Sequence, residues 1–207
     1  MFTVYLVDDD ARVLKALSRL LGANGYESRS FTNPREFLDS HEAEIPGCAV
    51  LDLSMPGLDG LALQQALGAT GRHRPIIFLT GKADISASVR AMKAGAIDFL
   101  TKPVNQKDLL QAIHRAEQID GSERRKQIEL AAINARIATL TPREREVLTQ
   151  VVAGRLNKQI AGILGTVEKT VKVHRGRMME KLRVHTVADL VRLAEKAGVS
   201  LDNKPQH

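Results

Sequence analysis

Three consecutive carboxylates, Asp8, Asp9 and Asp10, follow directly on the apolar run at residues 2–7. Like charges held together repel and resist ionisation unless a cation or a helix N-terminus stabilises them. Other apolar runs end in related chemistry: residues 48–51 in Asp52, residues 76–79 in Thr80, and residues 96–100 in Thr101, Lys102 and Pro103. If the runs are parallel strands, their ends share one edge of a sheet, where open α/β folds build their sites. Such a set suits phosphoryl transfer onto a carboxylate nucleophile. A dianionic phosphoryl group needs charge compensation to approach it, so a hard cation such as Mg2+ is expected to bridge Asp9, Asp52 and a backbone carbonyl. Lys102 would bind one phosphoryl oxygen, and the Thr80 hydroxyl another.

Each piece also has a plainer reading. Acids after a strand can be the N-terminal charge of the next helix, and Asp52 ahead of Ser54-Met55-Pro56-Gly57 can end a strand at a turn. Lys102-Pro103 can be an ordinary loop. Their joint occurrence at successive strand ends favours the pocket. A phosphatase of the haloacid dehalogenase type would need a second acid two residues after the nucleophile, and Ser54 stands there. Turnover of an external substrate is therefore not expected.

A second chemistry lies near the other end. Residues 166–183 hold Lys169, Lys172, Arg175, Arg177, Lys181 and Arg183 against Glu168 and Glu180, with Val167, Val171, Met178, Met179 and Leu182 as a helical apolar stripe. A helix that docks on that stripe presents cations outward. It serves either as a recognition helix or as a solvated basic face of a bundle.

The elements that position these groups follow from hydrophobic pattern. Residues 1–118 alternate apolar runs (2–7, 26–31, 48–52, 76–79, 96–100) with helical patterns (11–21, 34–40, 58–68, 84–94, 106–118). Five such β/α units predict a doubly wound, five-stranded parallel sheet with helices on both faces. Asn33-Pro34-Arg35-Glu36 supplies a helix cap, and Gly22, Gly25, Gly68, Gly71 and Gly95 stand where helices should stop. Residues 119–137 are charged but space Ile128, Leu130, Ile133 and Ile137 helically, which predicts a helical linker. Thr141-Pro142-Arg143-Glu144 then opens a helix with a capping box and an N1 proline. Three more helices, at 157–164, 167–182 and 187–197, broken at Gly154 and Gly165, make a small all-α domain over residues 138–199, followed by a tail at 200–207.

Among the 207 residues, charge divides with the pattern: 13 Lys and Arg against 14 Asp and Glu in residues 1–119, and 17 against 10 beyond, for a net +6. A near-neutral module joined to a basic one suggests nucleic acid as the partner of the second. The lone Cys48 cannot form an internal disulfide and sits in an apolar run as a packed thiol, while the six histidines show no zinc spacing. No run approaches the roughly 18 apolar residues of a membrane span and no signal-like segment opens the chain. A cytoplasmic protein without a membrane partner is the expectation.

The first half resembles a two-component response-regulator receiver domain. The resemblance is carried by Val7-Asp8-Asp9-Asp10, Leu51-Asp52-Leu53-Ser54-Met55-Pro56-Gly57-Leu58-Asp59-Gly60, Leu79-Thr80-Gly81, residues 91–100 and Thr101-Lys102-Pro103. It implies a flavodoxin-like fold, Asp52 as phosphoacceptor, Asp8 and Asp9 as the acidic pocket, and the Ser54 carbonyl as a further Mg2+ ligand. It also implies Thr80 and Phe99 as switch residues, a cis Lys102-Pro103 bond, and a lesser, helix-start role for Asp10.

The second half, in residues 140–148, Asn157-Lys158-Gln159-Ile160-Ala161 and Thr170-Val171-Lys172-Val173-His174-Arg175, is similar to a LuxR-type helix-turn-helix. The order receiver, linker, LuxR-type domain resembles the NarL/FixJ regulators. The resemblance implies a helix holding Thr170, Lys172, Val173 and Arg175 in the major groove, with Lys158 and Lys169 on phosphate and Lys172 and Arg175 nearer the bases. Gly176 lies where some relatives carry a side chain that can reach a base, so the base preferences of those relatives do not transfer. The partners implied are a histidine kinase, promoter DNA, a second copy on phosphorylation, and RNA polymerase. The competing expectation is a constitutive DNA-binding regulator whose receiver is only an interaction scaffold.

Overall fold

The computed structural model describes residues 2–40, 42, 44–69, 74–81 and 85–199, at residue 85 the backbone alone. Gly71, Asp84 and the tail at 200–207 lie outside them. The chain divides into two compact units, residues 1–124 and 125–207. Among the described residues no helix is long and apolar enough to cross a membrane.

In the first unit, strands β1 (Thr3–Val7), β2 (Glu27–Phe31), β3 (Gly47–Asp52), β4 (Ile76–Thr80) and β5 (Asp98–Thr101) form one parallel sheet in the order β2-β1-β3-β4-β5. Successive side chains in a strand point to opposite faces. Val4, Leu6, Cys48, Val50, Ile77 and Leu79 therefore pack with Leu14, Leu17 and Leu21 of α1 (Ala11–Ala23) and Leu109, Ile113 and Ala116 of α5 (Gln106–Ala138). Tyr5, Val7, Ala49, Leu51, Ile76 and Phe78 pack instead with Phe37 of α2 (Pro34–Ser40), Leu63 and Leu67 of α3 (Gly60–Ala69) and Ala91 of α4 (Ile85–Lys93). This is the doubly wound arrangement expected from the five β/α units. Cys48 is fully buried, and desolvation pushes its thiol up to about 12, so it packs as a small apolar group.

Several boundaries shift for identifiable reasons. Helix α3 starts at Gly60 and not at 58, because Asp59 caps it through Ala62 N–H at 2.7 Å. Strand β5 starts at Asp98 and not at 96, because Ala96 N–H is spent on the Ala91 carbonyl that closes α4. Gly22 and Gly68 do not stop helices as expected; both lie inside α1 and α3. The helical pattern at 106–118 and the helical linker at 119–137 are one helix, α5. Its apolar residues separate: Ile133 and Ile137 join the core of the second unit, whereas Ile128 and Leu130 are exposed.

The second unit adds α6 (Pro142–Val152), α7 (Asn157–Ile163), α8 (Glu168–Leu182) and α9 (Val187–Lys196) around Val147, Val151, Ile160, Val171, Met178, Leu182 and Leu190. Thr141 caps α6 in a reciprocal box with Glu144, as the sequence predicts. Val167 does not join the buried stripe of α8; it is the N-cap and is 65% exposed. Glu144 also has a role with no local signal. Its carboxylate, only 2% exposed, accepts from Lys181 of α8 at 2.7 Å, which ties the basic helix to α6.

The Lys181 hydrogen bond, against the cost of burial and with help from Thr141, lowers the Glu144 carboxyl below its ordinary 4.5. A depressed folded value means that this stabilisation is complete above about pH 4.5 and is lost as pH falls through the lower folded value. Acid titration of the second unit's unfolding should show this loss in the wild type and not in Glu144→Gln. Glu144→Ala should cost about 2 kcal/mol at neutral pH, read from the denaturation midpoint.

Candidate phosphoryl pocket and nucleic-acid interface

The strand order reverses direction between β1 and β3, and the ligand crevice of such sheets lies outside the carboxyl ends of the strands there. Asp8 and Asp9 follow β1, Asp52 ends β3, Thr80 ends β4 and Lys102 follows β5. The sequence placed these groups as much as 94 residues apart; the sheet brings them to one edge.

The three leading acids take three different positions. Asp8 turns inward, 2% exposed, and its Oδ1 accepts from Asp10 N–H at 2.9 Å. Asp9 remains exposed. Asp10 caps α1 through Arg12 N–H at 2.8 Å. Side-chain hydrogen bonds from Arg12 hold the Asp10 carboxyl down at about 2, but Arg12 is exposed and Asp10 only half-buried, so the pair adds little to stability.

Lys102 joins the pocket. Its Nζ lies 2.5 Å from Asp8 Oδ2 and 2.7 Å from Asp52 Oδ1. Partial burial disfavours the ammonium, but hydrogen bonds to Asp52 and Asp8 outweigh it, and the Lys102 pKa is raised. Oxygens of Asp8, Asp9 and Asp52 lie within 4.8 Å of one another. At an effective dielectric constant near 20, each such carboxylate pair repels by about 3.5 kcal/mol. One ammonium offsets the Asp8–Asp52 term, and among the described residues no cation pairs with Asp9. A cluster of hard oxygens with net charge near −2 fits a divalent cation.

The β3–α3 loop positions Asp52. Its Oδ2 accepts from Ser54 N–H at 3.1 Å, and Gly60 N–H returns to the Leu53 carbonyl at 3.1 Å. A Cβ at Gly60 would stand 2.5 Å from the Asp52 carbonyl oxygen and 2.9 Å from Phe78, so only glycine lets α3 begin this close. Ser54 itself is exposed. Thr80, 1% exposed, accepts Lys102 N–H on its carbonyl at 2.7 Å, and the Lys102-Pro103 bond is cis as expected. Phe99 is half-buried in β5 with its ring 6.3 Å from that of Phe78.

In the second unit α7, the turn at Gly165 and α8 form a helix-turn-helix. Lys158, Lys169, Lys172 and Val173 are exposed, and Thr170 and Arg175 are half-buried. Lys172 pairs with Glu168 at 3.3 Å on the surface, a contact weak enough to yield to another anion. Arg175 donates from Nη1 to Asn157 Oδ1 at 2.9 Å, fastening α8 to the start of α7. Sequence spacing did not show this pairing, since the partners stand 18 residues apart on different helices. Nor did it show Arg124, which grips Asp120 at 2.8 Å and donates to the carbonyls of Glu44 and Ile45.

Comparison with known proteins follows this division. Residues 4–114 match the family model of the response regulator receiver domain, and residues 138–194 that of the bacterial regulatory proteins of the luxR family. The chain is 41% identical over 203 residues to nodulation protein W of Bradyrhizobium diazoefficiens, covering 98% of this chain and 89% of that protein. It is 37% identical over 199 residues to the transcriptional regulatory protein FixJ of the same organism, covering 96% and 97%. A solved structure of the response regulator StyR is similar at a TM-score of 0.83 and 44% identity, over 94% of this chain and 98% of that one. Full-length FixJ from B. japonicum follows at 0.58 and 36%, over 96% and 98%.

If the Arg175–Asn157 bond orients α8 in the free protein, Arg175→Ala should destabilise the second unit by about 1 kcal/mol in the absence of DNA. Chemical denaturation measures it; an unchanged midpoint would leave Arg175 with a role toward DNA alone.

Proposed function

This chain belongs to the two-component response regulators of the NarL/FixJ family, with a receiver and a LuxR-type DNA-binding domain, and we propose that Asp52 is the phosphoacceptor through which it is switched. Such a receiver takes its phosphoryl group from a histidine kinase. The observation that carries the proposal is the Asp8, Asp9, Asp52 and Lys102 cluster at the carboxyl edge of the sheet.

In the proposed step a carboxylate oxygen of Asp52 attacks the phosphorus of a phosphohistidine. The new O–P bond forms as the P–N bond breaks, and the imidazole nitrogen keeps the electron pair. Asp8, Asp9, Asp52 and the Ser54 carbonyl would hold Mg2+, which neutralises charge on the phosphoryl oxygens when bound. Lys102 moves from the bare carboxylates to a phosphoryl oxygen, and the Thr80 hydroxyl donates to another. Phe99 follows Thr80 inward. That movement biases the face formed by α4, β5 and α5 toward a homodimer, a reading supported by the exposed Val89 and Met92 of α4.

Two paired second units would then bind promoter half-sites about one DNA turn, or a multiple of it, apart. Lys158 and Lys169 contact phosphates there, while Thr170, Lys172, Val173 and Arg175 face the bases. The reading makes the protein a cytoplasmic transcription regulator, with RNA polymerase as a further partner and no external substrate.

Acetyl phosphate with Mg2+ should load one acid-labile phosphate on the wild type and none on Asp52→Asn, and only the loaded form should gain mass in solution as a dimer. Equal DNA binding and dimerisation by Asp52→Asn and treated wild type would refute the switch. Lys172→Ala should weaken a specific site by about 1 to 3 kcal/mol if it reads a base, whereas a uniform loss on every duplex would mark a phosphate contact.

A further inference from the structure

Gly176 stands within α8, more than a turn from either end. Glycine is the poorest helix former after proline, and its usual justifications do not apply here. Its backbone is not among those with positive φ, and a Cβ built on it meets nothing within 4 Å. Gly22, Gly68 and Gly162 are equally open, but each lies in the last turn of its helix, where a weak helix former is ordinary. Among the described residues nothing requires glycine at 176.

The surroundings point outward. Residues three, four and seven positions apart share a helix face, so position 176 continues the exposed face of Lys169, Lys172 and Val173. A recess of about 520 Å³ opens there, lined by Gly176, Met179, Glu180, Arg183, Val184 and His185. Arg183 caps α8 at φ 55, a left-handed conformation in which glycine or asparagine is usual. A basic side chain is thus kept at the rim of the recess at a cost in backbone strain, while the side chain at 176 is dispensed with altogether. Glu180 lines the same recess, and a carboxylate there would repel a phosphate and leave room for an uncharged group.

We infer that Gly176 is a close-approach position, where the backbone of α8 lies directly against one nucleotide of the bound DNA. The sugar or base edge of that nucleotide enters the recess, and its phosphate lies toward Arg183. The inference rests on the DNA-binding reading of α8 and adds to it a contact made by the absence of a side chain.

The test uses the full chain with beryllofluoride and Mg2+, and a duplex that the wild type selects from random sequence. Gly176→Ala should raise the melting temperature of the second unit by about 4 °C, since alanine favours the helix. It should nevertheless weaken binding to the selected duplex by about tenfold or more, within the range of one lost base contact. Gly176→Lys should bind more weakly than wild type despite its added cation, whereas an open, solvated face would make it bind more tightly. Arg183→Ala should weaken binding as well. The inference is overturned if Gly176→Ala binds like the wild type, if Gly176→Lys binds more tightly, or if Gly176→Ala melts lower. Failure of the wild type to select any duplex would refute DNA binding itself, a result distinct from these.

Discussion

The Lys102 ammonium between Asp8 and Asp52 is the contact on which the first unit depends. Two carboxylates almost without solvent, with a third beside them, are tolerable only because a cation from the far end of the sheet reaches both. The neighbouring features serve that meeting. Parallel pairing of β1, β3, β4 and β5 brings the carboxyl ends into line, the narrow start of α3 at Gly60 leaves room for Asp52, and Thr80 receives the Lys102 amide. The compensation is deliberately incomplete. Among the described residues an excess of negative charge remains, which a divalent cation would offset.

The second unit solves the opposite problem, since α8 concentrates cations that repel one another. It is held by an apolar underside of Val171, Met178 and Leu182 and by two polar ties, Lys181 to buried Glu144 and Arg175 to Asn157. The ties differ in kind. Glu144 already closes the cap of α6, so a single carboxylate sets both the start of one helix and the placement of another. Arg175 donates to α7 from the guanidinium that the family resemblance places near the bases.

Much of the architecture was legible in the pattern of residues. The five β/α units, the capping box at Thr141 and the strand-end chemistry rest on local periodicity and short-range hydrogen bonds, which sequence spacing encodes directly. Pattern and fold part where a neighbour in space competes for a group. Ala96 continues a strand by its pattern, but its N–H closes α4; Val167 falls on the apolar stripe by its spacing, but it precedes the helix; Ile128 and Leu130 share the spacing of Ile133 yet remain outside the core. Periodicity states which residues can share a face, not whether another element covers it.

The sequence by itself determined the inventory: a carboxylate-rich strand end, a lysine before proline, a basic helix, and the family to which their order belongs. The family resemblance already sets Asp10 apart at the helix start, but only the tertiary structure separates Asp8 from Asp9. Asp8, Asp9 and Asp10 are chemically identical neighbours, but the turn after β1 buries the first against Lys102, leaves the second exposed and makes the third a helix cap. The physical reason is that a carboxylate's role depends on the donors and solvent around it. Those are supplied by residues as far as 94 positions away, which no local pattern can specify.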